Sequence, residues 1–260
     1  MANGQLGTVL RHIRRLAVSQ STKDLSDGQL LQRFAVEHDQ AAFAALVQRH
    51  GRLVWSVCRH ALHHEQDAED AFQATFLVLA QKAKSIRKGE AVASWLHGVA
   101  YRVAMKAKRH AARRRTRERR AYPGVHTPGS PGALPETSLL ELQAILDDEV
   151  SRLPEKYRAP FVLCCLDGKS TAEAAEQLRW KVGTVSGRLS LARKQLQRRL
   201  TRRGLALSAA LYALGISRTA AASSVPAGLA NITVRAALAF LTVKSRENKD
   251  LGDVQLKRIE

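Results

Sequence analysis

Aromatic residues make up only 5% of this 260-residue chain, and cysteine, proline and acid are also scarce. Few rings, with alanine and leucine frequent, favour helix. Three cysteines, Cys58, Cys164 and Cys165, give an odd count with no C-x-x-C. That excludes a disulfide framework and fits a reducing cytosol. Acid is outnumbered, with 23 Asp and Glu against 42 Lys and Arg, leaving a net charge of +19. Such an excess points to a polyanionic partner, nucleic acid ahead of an anionic membrane surface. Arg11, Arg14 and Arg15 are followed by no apolar h-region, so no signal peptide is expected. The hydrophobic share, 45%, is still enough for a packed core in one large or two small domains.

What is present is helical periodicity. Residues 1–24 read as a flexible leader. Ser26-Asp27 can cap a helix carrying Leu30, Leu31 and Phe34, and Asp39 can cap the next, which buries Phe43, Leu46, Val47, Val54, Val57 and Cys58. A third helix covers Asp67 to Ala83, with Ala68, Ala71, Phe72, Thr75, Leu79 and Ala83 as its core stripe. Glu69, Gln73 and Phe76 lie on another face, with Asp70 beside Glu69. This acidic stripe in a basic protein is either a solvated face or a docking surface. The cluster His60, His63, His64, Glu65 and Asp67 lacks H-E-x-x-H spacing, so no metal is expected.

After the polar loop 84–90, a long helix carries Val92, Trp95, Leu96, Val99, Ala100, Val103 and Ala107 on one face. Arg102, Lys106, Arg109 and Arg113 recur three or four apart on another. From Arg102 to Arg120 there are ten Lys or Arg and one acid, Glu118. Such a ridge repels itself unless an anion lies along it, which favours phosphate contact. Trp95 reads either as core or as a stacking platform for an unpaired base.

Residues 121–135 hold four prolines and three glycines and read as a flexible linker. Beyond it, Leu139, Leu142, Ile145, Leu146, Val150 and Leu153 mark a helix stopped by Pro154. The next runs from about Glu155 to Cys165, with a kink or late start at Pro160. Ser170-Thr171-Ala172-Glu173 makes a capping box for a short helix. Thr184 is expected to cap a last helix with Val185, Leu189, Ala192 and Leu196 inward. Nine Lys or Arg and no acid between Arg179 and Arg203 turn this pair toward a DNA-binding helix-turn-helix rather than a plain hairpin. From Leu205 the chain becomes apolar in two runs separated by Pro226. The first is too short to span a bilayer and the second carries Arg235, so a helical pair packed on protein is favoured over membrane insertion.

Three patterns in this order, D-A-E-D-x-x-Q-x-x-F, W-L-x-x-V-A with its basic run, and L-P-x-x-Y-R…G-x-S…A-E…V-G-T-V…R-L…A-R-K-x-L, resemble the extracytoplasmic-function group of the sigma-70 family of bacterial transcription initiation factors. The resemblance covers about residues 25–202. It implies an all-α fold of two small helical domains joined by a Pro/Gly-rich linker: a leader (1–24), a region 2-like domain (25–120), the linker (121–137), a region 4-like helix-turn-helix domain (138–203) and a helical C-terminal extension (204–260). It implies a cytoplasmic, non-enzymatic subunit without cofactor. This subunit would bind core RNA polymerase through the β′ clamp helices and the β flap, recognise and melt promoter DNA, and answer to an anti-sigma factor. Asp67, Glu69, Asp70, Gln73 and Phe76 would dock on polymerase. Lys84, Arg87, Lys88, Trp95, Arg102, Lys106, Arg109 and Arg113 would serve the minus-10 element. Thr184, Ser186, Arg188, Ser190, Arg193 and Lys194 would serve the minus-35 element. The chain departs from the family where Arg102 replaces a frequent Asn, and where Ser186 and Leu191 replace basic residues. A stand-alone helix-turn-helix regulator, without polymerase, is the competing reading.

Overall fold

A computed structural model describes residues 22, 24–62, 64–86, 91–121, 135–219, 225–226 and 228–256. Ten α-helices and no strand occur among them, so the fold is all-α. Nearly all of the expected leader, residues 122–134 of the expected linker, and Arg87 and Lys88 lie outside the described residues. The chain divides into two compact units that do not follow its linear order: residues 1–51, 76–88 and 226–260 form one, and residues 52–75 and 89–225 the other.

In the first unit, α1 (Asp27–Glu37) starts at a capping box, with Gln29 N donating to Ser26 Oγ at 3.3 Å and Ser26 N to Gln29 Oε1 at 2.8 Å. It ends at His38, whose φ of 54° turns the chain. Asp39 then caps α2 (Gln40–Ala61), accepting from Ala41 N at 2.9 Å and Ala42 N at 3.3 Å. Phe34 stacks on Phe43 with centroids 4.5 Å apart. Buried Asp27 ties α1 to α2, meeting Arg49 Nη1 at 2.6 Å and His50 Nε2 at 2.9 Å. Burial alone would raise the Asp27 carboxyl, but His50 and Arg49 outweigh it and hold the group well below the carboxylate range. The end of α3 (Glu65–Lys82) runs into a 3₁₀ turn, Ala83–Ser85, which lies against α1. The last helix, α10 (Leu229–Leu256), belongs to this unit and buries Leu229, Thr233, Val234 and Ala237.

In the second unit, the start of α3 packs on the end of α2, with Trp55 edge-on to Phe72 at 6.2 Å. Helix α4 (Val92–Ala121) buries Val92, Leu96, Val99, Ala100 and Ala104. Helix α5 (Pro135–Ser151) buries Leu146 and Val150. Pro154 breaks the chain before α6 (Glu155–Phe161). Pro160 is accommodated inside α6, and the chain then widens into a π-helical turn, Val162–Leu166, where Asp167 N donates to Val162 O. A proline has no N–H to give and its ring crowds the preceding turn, so a loosened ladder beside it is the expected relief.

Helix α7 (Thr171–Leu178) opens with the expected capping box, Glu173 N to Ser170 Oγ at 3.2 Å and Ser170 N to Glu173 Oε2 at 2.7 Å. Arg179, in the left-handed region at φ 54°, makes the turn into α8 (Val182–Thr201). Thr184 does not cap α8: the cap lies three residues earlier, at Lys181, which has extended backbone and no side-chain cap bond. Val185, Leu189, Ala192, Leu196 and Leu200 face the core. Helix α9 (Leu207–Thr219), the first of the extension, packs on α5 and α8, and Gln143 Nε2 donates to Ala213 O at 2.7 Å.

Candidate nucleic-acid and partner surfaces

The acidic stripe on α3 is real but shorter than expected. Asp70 is exposed, and Asp67, Glu69 and Gln73 are half-buried. The three acids have no cationic partner among the described residues. Phe76 does not join them: it is 0% exposed. Phe72, Phe76, Leu79 and Ala83 are spaced four, three and four, which puts Phe76 on the core stripe of the helix. A surface role for Phe76 is therefore corrected to a packing role.

The cationic ridge stands on α4. Arg102, Lys106, Arg109 and Arg113 are exposed, each about one turn from the next, and Arg109 Nε donates to Met105 O at 3.1 Å. His110, Arg113, Arg114 and Arg117 line an open groove farther along the same helix. The Arg102 guanidinium folds back over Gly98, where an added Cβ would lie 3.3 Å from its Nη1. Trp95 is half-buried, which keeps part of its ring available, and Lys84 is exposed on the 3₁₀ turn.

On α8, Ser186, Ser190, Arg193 and Lys194 are exposed, and Thr184 is half-buried in its first turn. Their spacing places them on the face opposite Val185, Leu189 and Ala192. Arg188 differs from the rest: its guanidinium lies over the Trp180 ring, 4.2 Å from the centroid. Arg193 Nη2 approaches Cys165 Sγ at 3.6 Å. Burial pushes the neighbouring Cys164 thiol up, and Cys165 adds to the effect.

A buried polar cluster went unread in the sequence. His60 on α2 places Nδ1 2.7 Å from Asp147 Oδ2, and His97 on α4 places Nε2 3.1 Å from Asp147 Oδ1. All three residues are at most 4% exposed. Ser56 Oγ lies 3.1 Å from His60 Nε2. Next to the cluster, Tyr101 donates to Asp148 Oδ1 at 2.6 Å, Arg203 donates to Asp148 Oδ2 at 3.0 Å, and Ser94 donates to Glu155 Oε1 at 2.7 Å. Burial by itself would raise the Asp147 carboxyl, but hydrogen bonds and charge from His60 and His97 hold it at about 2. Burial, with the Asp147 charge, pushes the Cys58 thiol up. The signal lay in Asp147-Asp148-Glu149, an acidic run set inside the apolar stripe Leu146 to Val150. A second clue was His97, flanked by Leu96 and Val99 on a core face.

Among the described residues no three His, Cys, Asp or Glu side chains are grouped to hold a metal ion. No helix among them is long and apolar enough to cross a membrane.

Residues 46–114 match the family model for sigma-70 region 2, and residues 143–196 match that for sigma-70 region 4. The chain is 31% identical over 175 residues to the ECF RNA polymerase sigma factor SigM of Mycobacterium tuberculosis, covering 67% of this chain and 85% of SigM. It is 27% identical to the ECF RNA polymerase sigma factor SigW of Bacillus subtilis, covering 62% of this chain and 90% of SigW. Among solved structures, CnrH in complex with the cytosolic domain of CnrY matches at 24% identity and a TM-score of 0.35, covering 68% of this chain and 97% of that one.

Proposed function

Because the chain belongs to the extracytoplasmic-function group of the sigma-70 family, and so binds core RNA polymerase and directs it to promoter DNA, we propose the following division of labour among its surfaces. Asp67, Glu69, Asp70 and Gln73 on α3 dock on the clamp helices of the polymerase β′ subunit, with Phe76 bracing the helix from inside. Lys84 and the α4 ridge of Arg102, Lys106, Arg109 and Arg113 hold the melted non-template strand of the minus-10 element, and Trp95 stacks on an unpaired base. Arg87 and Lys88 join this set on the family resemblance alone. Helix α8 enters the major groove at the minus-35 element, where Ser186, Ser190, Arg193 and Lys194 face DNA. Trp180 fixes the Arg188 guanidinium at the edge of that face, and Thr184 lies at its start. The region 4-like domain meets the β flap.

Residues 25–120 and 138–203 carry the two DNA-binding sets and 121–137 connect them. The factor performs no chemistry of its own, works in the cytoplasm, and answers to an anti-sigma factor. Each half needs only modest DNA affinity, because docking of one on polymerase raises the local concentration of the other.

The observation that carries this reading is the segregation of charge. On α3 the exposed Asp70 stands beside Asp67 and Glu69, while the exposed charges of α4 and of the outer face of α8 are basic. In reconstituted run-off transcription with core polymerase, Asp70→Lys combined with Gln73→Ala should abolish product, while DNA binding by the factor alone persists. Undiminished transcription would sink the docking assignment. Arg193→Ala should weaken the footprint over the minus-35 element and leave that over the minus-10 element intact.

A further inference from the structure

Trp180 and Arg188 meet across the turn between α7 and α8. Trp180 follows Arg179, which closes α7 in the left-handed region at φ 54°. Arg179 N donates to Glu176 O at 3.1 Å, and Trp180 N donates to Ala175 O at 2.9 Å. These are the two bonds of a Schellman motif, and they fix the backbone that carries the indole. The ring is half-buried against the apolar core to which Ala175, Leu178 and Val185 belong. It is a platform set before any ligand arrives.

Arg188, itself half-buried, lies on that platform with its guanidinium carbon 4.2 Å from the ring centroid. An aromatic face attracts a cation through its quadrupole and offers no lone pair, so the five N–H donors are left for another acceptor. Among the described residues no ion pair or hydrogen bond takes them up. The far end of α8 differs: Arg199 faces Glu149, and Arg203 meets Asp148 and Glu149. Arg188 is also the only Lys or Arg from Val182 to Leu191.

Position on the helix selects the acceptor. Arg188 adjoins Leu189 and follows Val185 by three, at the margin of the buried stripe and not opposite it. On a helix laid in the major groove, the face opposite the core meets base edges and the margins meet the sugar-phosphate walls. Resting on the placement of α8 in that groove, we propose that Arg188 clamps one backbone phosphate at the border of the minus-35 element and that Trp180 is its positioning residue. The stack holds the guanidinium where the phosphate arrives, so little rotamer freedom is lost on binding. The contact sets the register of α8 and carries no base preference.

The test uses core polymerase carrying the full-length factor. Its probe is a duplex that the unaltered complex selects from a random-sequence pool, together with single-base variants over the minus-35 element. Trp180→Leu keeps an apolar side chain on the core but removes the π face, and should weaken binding about fivefold. Arg188→Ala should weaken it at least as much, by a similar factor on every base variant. In the Arg188→Ala background Trp180→Leu should cost nothing further, and Trp180→Phe alone should stay near the unaltered affinity. A Trp180→Leu loss that persists without Arg188, or that Trp180→Phe shares, makes Trp180 a packing residue and overturns the clamp. A loss confined to one base pair shows that Arg188 reads a base, which overturns it too. The unaltered protein should show base preference over the minus-35 element. Absence of that preference overturns the placement of α8 itself, and the clamp with it.

Discussion

Taking the ring off Phe76 should harm the protein in a different way from reversing the charge on Asp70. Phe76 is buried, so Phe76→Ala leaves a cavity and should cost about 3–5 kcal/mol of stability. Thermal unfolding would show the loss before any binding assay did. Asp70 is exposed and unpartnered among the described residues, so Asp70→Lys should leave the melting temperature nearly unchanged. At the same scale, Asp27 and Asp147 make the fold acid-labile. Both carboxyls sit below their ordinary value of 3.8 when folded, Asp147 at about 2. Their contribution is therefore full above the ordinary value and is lost as pH falls through the folded one. Stability followed by denaturant titration should be insensitive to these two groups near neutral pH and should drop steeply below about pH 4. Asp27→Asn should flatten part of that drop. An equally steep acid drop in the variant would mean that Asp27 is not the cause.

Elements show which sequence patterns carry through to structure. The starts of α1, α2 and α7 were legible because their signals are local: Ser26, Asp39 and Ser170 each bond a backbone N–H within three residues. The start of α8 is not legible because Lys181 supplies only extended backbone, and a cap without a side-chain bond leaves no mark in composition. Phe76 has the spacing of a core residue with Phe72 and Leu79, but its polar neighbours Glu69 and Gln73 mask that signal. The His60–Asp147–His97 cluster was not legible, since its bonds join residues 87 and 50 positions apart. Helix α8 also offers an element-scale test. Gly187 lies mid-helix with no heavy atom within 4 Å of an added Cβ, so Gly187→Ala should stabilise the protein by up to about 1 kcal/mol. A fall in melting temperature would show that this backbone is not settled helix. Ser170→Ala should cost about 1 kcal/mol by removing the cap of α7, measured the same way.

Across the whole molecule, the excess of +19 sets how binding responds to salt. Contacts to single-stranded phosphate release counterions, about 0.7 per contact in the logarithmic slope. Lys106→Ala with Arg109→Ala should therefore lower the salt slope of minus-10 strand binding by about 1.4 if both touch phosphate, with little change in base preference. An unchanged slope would place the strand elsewhere on the protein.

The bond from Gln143 to the Ala213 carbonyl also bears on how this protein can be recombined with others. Leu207, Ala210 and Ala213 are buried where α9 lies on α5 and α8. A transplant of the DNA-reading module into a chimeric factor would therefore have to carry the chain through Thr219. A graft severed at Arg203, where the expected domain ends, would expose a fresh apolar face and strand the Gln143 amide, and it should aggregate in proportion to its concentration.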